Sequence, residues 1–249
     1  MEIITVHLID DIPTLKACSL TCYSWYIAAF PHIHHTLVLR GRHRSLRALS
    51  NRHALGLSPF TKELRILQPF EKSWWFSPRA FFRYLNSRYF FAFTNVQSLT
   101  VQDFFINIFL PTPVQFFVHL SPSLRSLTLD EPRGTSLELS HFISMFPNLD
   151  DVAIRYFTPW DKDPDEILIP FSTPRLGGKL VLVDANAAGP WEHLAVTCGL
   201  RFKFIHAGGV IDCVPVLFAA CAETLETFQF DLLPNGGMRS LVHLDMNFG

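Results

Sequence analysis

The chain has 249 residues, of which 49% are hydrophobic and only 17% charged, against about a quarter charged in an average soluble domain. That length suits one large domain or a modest repeat array, and 24 phenylalanines ask for elements buried along most of their faces. No run reaches the roughly 18 uninterrupted apolar residues of a spanning helix, and MEIITVHLIDD lacks the positive start of a secretory signal. The expectation is therefore an intracellular protein, cytoplasmic or nuclear, without membrane contact, whose five cysteines stay reduced and form no disulfides.

Charge is uneven along the chain. Residues 1–102 hold twelve Lys or Arg against five Asp or Glu, and residues 103–249 hold nine against seventeen.

In chain order, Asp10, Asp11 and Pro13 are helix-beginning signals. Leu15, Cys18, Cys22 and Trp25 then fall at i, i+3, i+7 and i+10, a single helical stripe continued by Ala29. Reduced cysteines in such a stripe act as small hydrophobes. A zinc site pairing Cys18 and Cys22 with two of His32, His34, His35 or His43 is the metal alternative. It would need a second pair held by its own turn, whereas HHTLVL reads as a strand.

Arg40 to His53 is the densest basic stretch, read as a helix carrying Leu46 and Leu49 inward. Its clustered arginines could meet phosphate, but a pI near 6.8 makes nucleic acid an unlikely partner. Beyond it, SPRAFFRYLN predicts a helix capped by Ser77 with Pro78 at its first position.

From there one phrase dominates. VQSLTV, LRSLTL, LDDVAI, LETFQF and LVHLDM all read apolar-x-x-apolar-x-apolar, with weaker copies in KLVLV, RFKF, ELRIL and HTLVL. Markers at 99, 127, 152, 180, 202, 228 and 244 give steps of 28, 25, 28, 22, 26 and 16, mostly within the 20–29 residues of a leucine-rich-repeat-like unit. The alternating pair in each phrase predicts a short strand with one buried face.

Between strands the period lengthens. LELSHFISMF sets Leu139, Phe142, Ile143 and Phe146 on one helical face behind a Thr135–Glu138 capping box, and Val214, Leu217, Phe218 and Cys221 repeat that spacing. Strand and helix alternating at this period predict an α/β solenoid, parallel strands inside and helices outside. A doubly wound α/β domain is the alternative, though no glycine-rich phosphate loop follows any strand.

Other chemistry is sparse. WDKDPDE begins like a calcium loop at Asp161, Asp163 and Asp165, but Glu166 takes the required glycine position and Ser172 the bidentate glutamate position, so it reads as a surface insertion. No hydrolase motif occurs, and His206 in FIHAGG indicates only a loop. The expectation is a non-catalytic chain with no cofactor and no metal.

A resemblance adds to this reading. DDIPTLKACSLTCYSW followed by HHTLVLRG resembles the second half of an F-box, as written in fungal F-box proteins with leucine-rich-like repeats; FTNVQSLTVQDF and FPNLDDVAI resemble those repeats. The Leu-Pro pair that usually opens the motif does not precede Glu2, and Thr21 stands where an aliphatic residue is usual.

The resemblance implies two parts, residues 1–36 as a partial F-box-like helical segment and residues 37–249 as the solenoid. The first would dock on a Skp-type adaptor of a cullin-based ubiquitin ligase through Ile3, Leu8, Ile12, Pro13, Leu15, Leu20 and Trp25. The second would present a protein substrate through outward residues such as Arg125, Thr128, Asp151 and Arg155. A stand-alone repeat scaffold, truncated and without adaptor binding, is the alternative. Because DMNFG brings no polar capping unit, poor solubility, pairing with another chain or a longer natural protein is expected.

Overall fold

The structure, a computed structural model, describes residues 11–40, 43–67, 90–106, 115–157, 159, 173–185, 189–209, 212–232 and 240–244. The expected helix at Ser77 and the WDKDPDE insertion lie outside the described residues.

The first helix, α1 (Ile12–Ser19), starts as its sequence dictates: the Asp11 carboxylate caps it by accepting the Thr14 N–H at 3.1 Å, with Pro13 in the first turn. It does not run on. The Ser19 and Thr21 hydroxyls donate to the carbonyls three residues back, Lys16 and Cys18, at 2.7 and 2.8 Å, and the Thr21 N–H also reaches the Cys18 carbonyl at 3.0 Å, a tight local turn that ends the helix. Cys22 is extended and serves as N-cap of α2 (Tyr23–Ile33). The single stripe from Leu15 to Ala29 is thus two helices packed against each other, with Leu15 and Ala29 fully buried.

The repeat follows. Strands β1 (Thr36–Arg40), β2 (Glu63–Leu67), β3 (Ser98–Phe105), β4 (Ser126–Arg133), β5 (Asp151–Arg155), β6 (Lys179–Val183), β7 (Phe204–Gly208), β8 (Thr227–Leu232) and β9 (Ser240–Leu244) form one sheet in strict chain order. The order never reverses, as it would in a doubly wound domain. Strands β1 to β8 pair in parallel. The ninth differs from expectation: LVHLDM is not a further parallel repeat, because β9 runs antiparallel to β8.

Register stacks like on like. Leu37, Leu64, Leu99, Leu127, Val152, Leu180, Ile205 and Phe228 are successive partners, and Leu39, Ile66, Val101, Leu129, Ile154, Leu182, Ala207 and Phe230 form the next row. Fully burying each large side chain contributes roughly 1.5–3 kcal/mol. At RFKF the marker is Ile205 and not Phe202: Phe202 is buried ahead of the strand, where Leu124 and Leu149 sit in their repeats, and Phe204 projects from the opposite face. The offset of three residues, like any odd slip, exchanges faces because the strand period is two.

The described helices cover one face. Leu49 of α3 (His43–Ala54), Phe117 of α4 (Gln115–Leu120), Leu139 of α5 (Ser136–Ser144), Leu194 of α6 (Gly189–Cys198) and Leu217 of α7 (Val214–Cys221) join the inward rows in one core. Helix α5 begins with the expected capping box, Thr135 and Glu138 exchanging bonds of 2.8 and 3.2 Å. Among the described residues no helix is long and apolar enough to cross a membrane.

Successive turns are clamped by one carbonyl per repeat that accepts two consecutive N–H groups. His35 takes Lys62 and Glu63, Lys62 takes Gln97 and Ser98, Gln97 takes Arg125 and Ser126, Arg125 takes Asp150 and Asp151, Gly178 takes Lys203 and Phe204, and Lys203 takes Glu226 and Thr227. Between β5 and β6 the Asp151 carboxylate substitutes, accepting the Lys179 N–H at 2.7 Å.

Candidate functional site

Two surfaces follow from this architecture: the exposed side of the α1–α2 pair and the sheet face away from the helices.

On the helical pair, Leu20 is 86% exposed, Tyr23 77% and Ile27 52%, with Tyr26 beside them. These residues fall at the turn and on the first turns of α2, an apolar patch that no described element covers. Of the residues expected to dock, Leu20 and Pro13 are exposed, Ile12 and Trp25 are half-buried, and Leu15 is fully buried between the helices, where it supports the face without forming it. Ile3 and Leu8 lie outside the described residues. Tyr23, Tyr26 and Ile27 were missed by a reading that followed a single stripe, although each is large and apolar. The pair packs on the following segment through Phe30, whose ring meets that of Phe60, in the turn before β2, edge-on at 5.1 Å.

Cys22 is exposed and does not pack as the stripe implied, whereas Cys18 is half-buried. Among the described residues no group of three potential metal ligands comes together. Burial pushes the Cys213 thiol up to about 12 and raises that of Cys221, so neither supplies a thiolate at neutral pH.

The open sheet face is mixed along its length. In its first half Thr36, Glu63, Ser98 and Ser126 share one row, and the exposed Val38 leads Arg65, Thr100 and Thr128 in the next. Burial alone would raise the Glu63 pKa, but hydrogen bonds from Arg65 at 2.8 Å and Thr36 at 2.7 Å hold it below the usual value. The second half is mixed, with Ala153, Val181, Val183 and Phe204 partly accessible among Asp151, Arg155, Lys179, His206 and Asp231, and the Lys179 ammonium 4.6 Å from the centre of the Phe204 ring.

Three of the four residues expected to meet a substrate stand on this face: Thr128 half-buried, Asp151 and Arg155 exposed. Arg125 does not. It lies one residue before β4, donates to the Asn148 carbonyl at 3.1 Å and comes within 3.8 Å of the Asp150 carboxylate, tying two repeats together.

A second feature escaped the sequence reading. His206 is on β7 and not in a loop, and its Nε2 lies 2.9 Å from an Asp231 carboxylate oxygen on β8. Only the register of neighbouring repeats brings these two together, so no local motif announces them. Within the basic stretch, Arg52 is committed to structure, donating to the Thr61 hydroxyl at 2.8 Å and the Thr36 carbonyl at 3.2 Å.

Toward the C-terminal ends of the strands runs a further row, inside β3 and β4 and just past β5, β6 and β7. Asp103, Glu131, Tyr156, Asp184 and Gly209 occupy corresponding positions on five successive repeats, and all have positive φ, from 48° to 95°. These five repeats share one left-handed backbone position, after which β3 and β4 resume their pairing at Phe104–Pro132 and Phe105–Arg133. Asp103 also pairs with Arg133 at 2.9 Å.

Comparison with protein-family models, with curated proteins and with solved structures finds no match.

Proposed function

We propose that the chain is a non-catalytic recognition subunit of the F-box, leucine-rich-repeat-like kind. The α1–α2 pair docks on a Skp-type adaptor of a ubiquitin ligase, and the open sheet face holds a protein substrate. The observation that carries this reading is the apolar patch of Leu20, Tyr23 and Ile27, left uncovered by the described residues at one end of a stacked sheet. Helices that expose such a face beside a repeat array suit insertion into a partner's groove. The open sheet face, which mixes charged, hydroxyl and apolar side chains over eight parallel strands, suits a peptide or protein surface better than a small molecule.

A pull-down with purified Skp-type adaptor tests the proposal. Wild-type chain is retained, and Leu20→Asp with Tyr23→Asp, both at exposed positions, lowers retention at least about tenfold. Absence of retention for folded wild-type chain overturns adaptor binding and leaves the stand-alone scaffold.

A further inference from the structure

A hollow of about 520 Å³ opens at the edge where β5 and β6 begin, bounded by the segment leading into β6 and by the end of α6. Arg175 and Arg201 both line it. Their backbones run side by side, the Arg201 N–H donating to the Leu176 carbonyl at 3.2 Å. Both residues are exposed, and among the described residues neither guanidinium has a hydrogen bond or a carboxylate within ion-pair distance. Nor does the backbone N–H of Gly177, also in the lining, find an acceptor there.

This pairing is not explained by composition. Residues 103–249 carry nine Lys or Arg against seventeen Asp or Glu, so two arginines sharing one hollow with no carboxylate partner among the described residues run against the local excess. The single acid among the described lining residues, Asp150, already faces Arg125 at 3.8 Å. Helix α6 ends here with about half a negative charge on its last carbonyls, which two full guanidinium charges outweigh.

We propose that this hollow is a phosphate-monoester recognition site, with Arg175 and Arg201 as the binding pair. Two planar forks present more N–H donors than the two oxygens of one carboxylate can use, whereas a phosphate monoester has three free oxygens and up to two charges. The ligand can be free or carried on a phosphorylated side chain. The site is independent of adaptor docking and stands or falls separately.

Isothermal titration of the full chain with inorganic phosphate, O-phospho-L-serine and acetate, each alone, tests it. Saturable binding of phosphate or phosphoserine is expected, weakened about tenfold or more by Arg175→Gln or Arg201→Gln and unchanged in Lys203→Gln, a lysine on the same edge that already pairs with Glu226. Phosphoserine binding without phosphate binding assigns a peptide-borne group; the reverse assigns the free ion. Arg→Lys at each position keeps the charge and loses the fork, and is expected to bind less tightly than wild type while folding normally by circular dichroism. No saturable binding of either phosphate probe to folded wild type, equal weakening by Lys203→Gln, or acetate bound as tightly overturns the proposal.

Discussion

His141 shows how one side chain sets a pH response. It is 7% exposed on α5, and burial, with His193 nearby, holds its pKa below the ordinary 6.5. The unfolded chain therefore binds a proton that the folded chain refuses, so stability is complete above about 6.5 and falls as pH drops. Urea melts at neutral pH and near pH 5 are expected to show that loss, and His141→Gln to reduce it; an equal loss in both chains would remove His141 as a cause. The left-handed row gives a second contrast. At Gly209, φ is 95° and an added Cβ would lie 2.5 Å from the Asp184 carboxylate and 3.3 Å from its Cα. Gly209→Ala is expected to cost about 2 kcal/mol or more by thermal melt. Glu131→Gly, at φ 53°, is expected to stay within about 1 kcal/mol of wild type, because lost strain offsets gained chain entropy. Both glycine effects depend on tertiary register, and neither is visible in HAGGV or DEPRG as strings.

Among the elements, α5 was legible residue by residue. Thr135 and Glu138 announced its start and Leu139, Phe142, Ile143 and Phe146 its buried face, because capping and helical period are local. Thr135→Ala is expected to lower stability by about 1 kcal/mol in denaturant melts, through loss of the bond to the Glu138 N–H. The α1–α2 pair was legible at its Asp11 cap but not at its break. Apolar spacing continued across Leu20 to Cys22, while the hydroxyls of Ser19 and Thr21, which end α1, were present in the sequence and weighed too little. The same break turns Leu20 and Tyr23 outward and makes the apolar patch.

Across the whole molecule, stability is distributed unevenly. The sheet rows and helices share one continuous core, whereas α1 and α2 contribute only Leu15 and Ala29 as fully buried side chains and reach the rest through Phe30. Local opening free energy follows buried apolar contact. Native-state hydrogen exchange is expected to release the α1–α2 amides well before those of β3 to β6; simultaneous release would show a single cooperative unit. Should an adaptor bind as proposed, it would selectively slow exchange in that pair.

The sequence by itself determined an α/β chain of short strands and helices at a period near two dozen residues, because hydrophobic alternation and helix caps are set by neighbours a few positions apart. Tertiary structure alone decided the rest. It fixed the strand order and the antiparallel turn of β9, the slip that puts Ile205 inward, the meeting of His206 with Asp231, and the shared hollow of Arg175 and Arg201. Each of these joins residues one repeat apart or more, and their meeting depends on how the turns stack, a long-range packing result that no short window of sequence encodes.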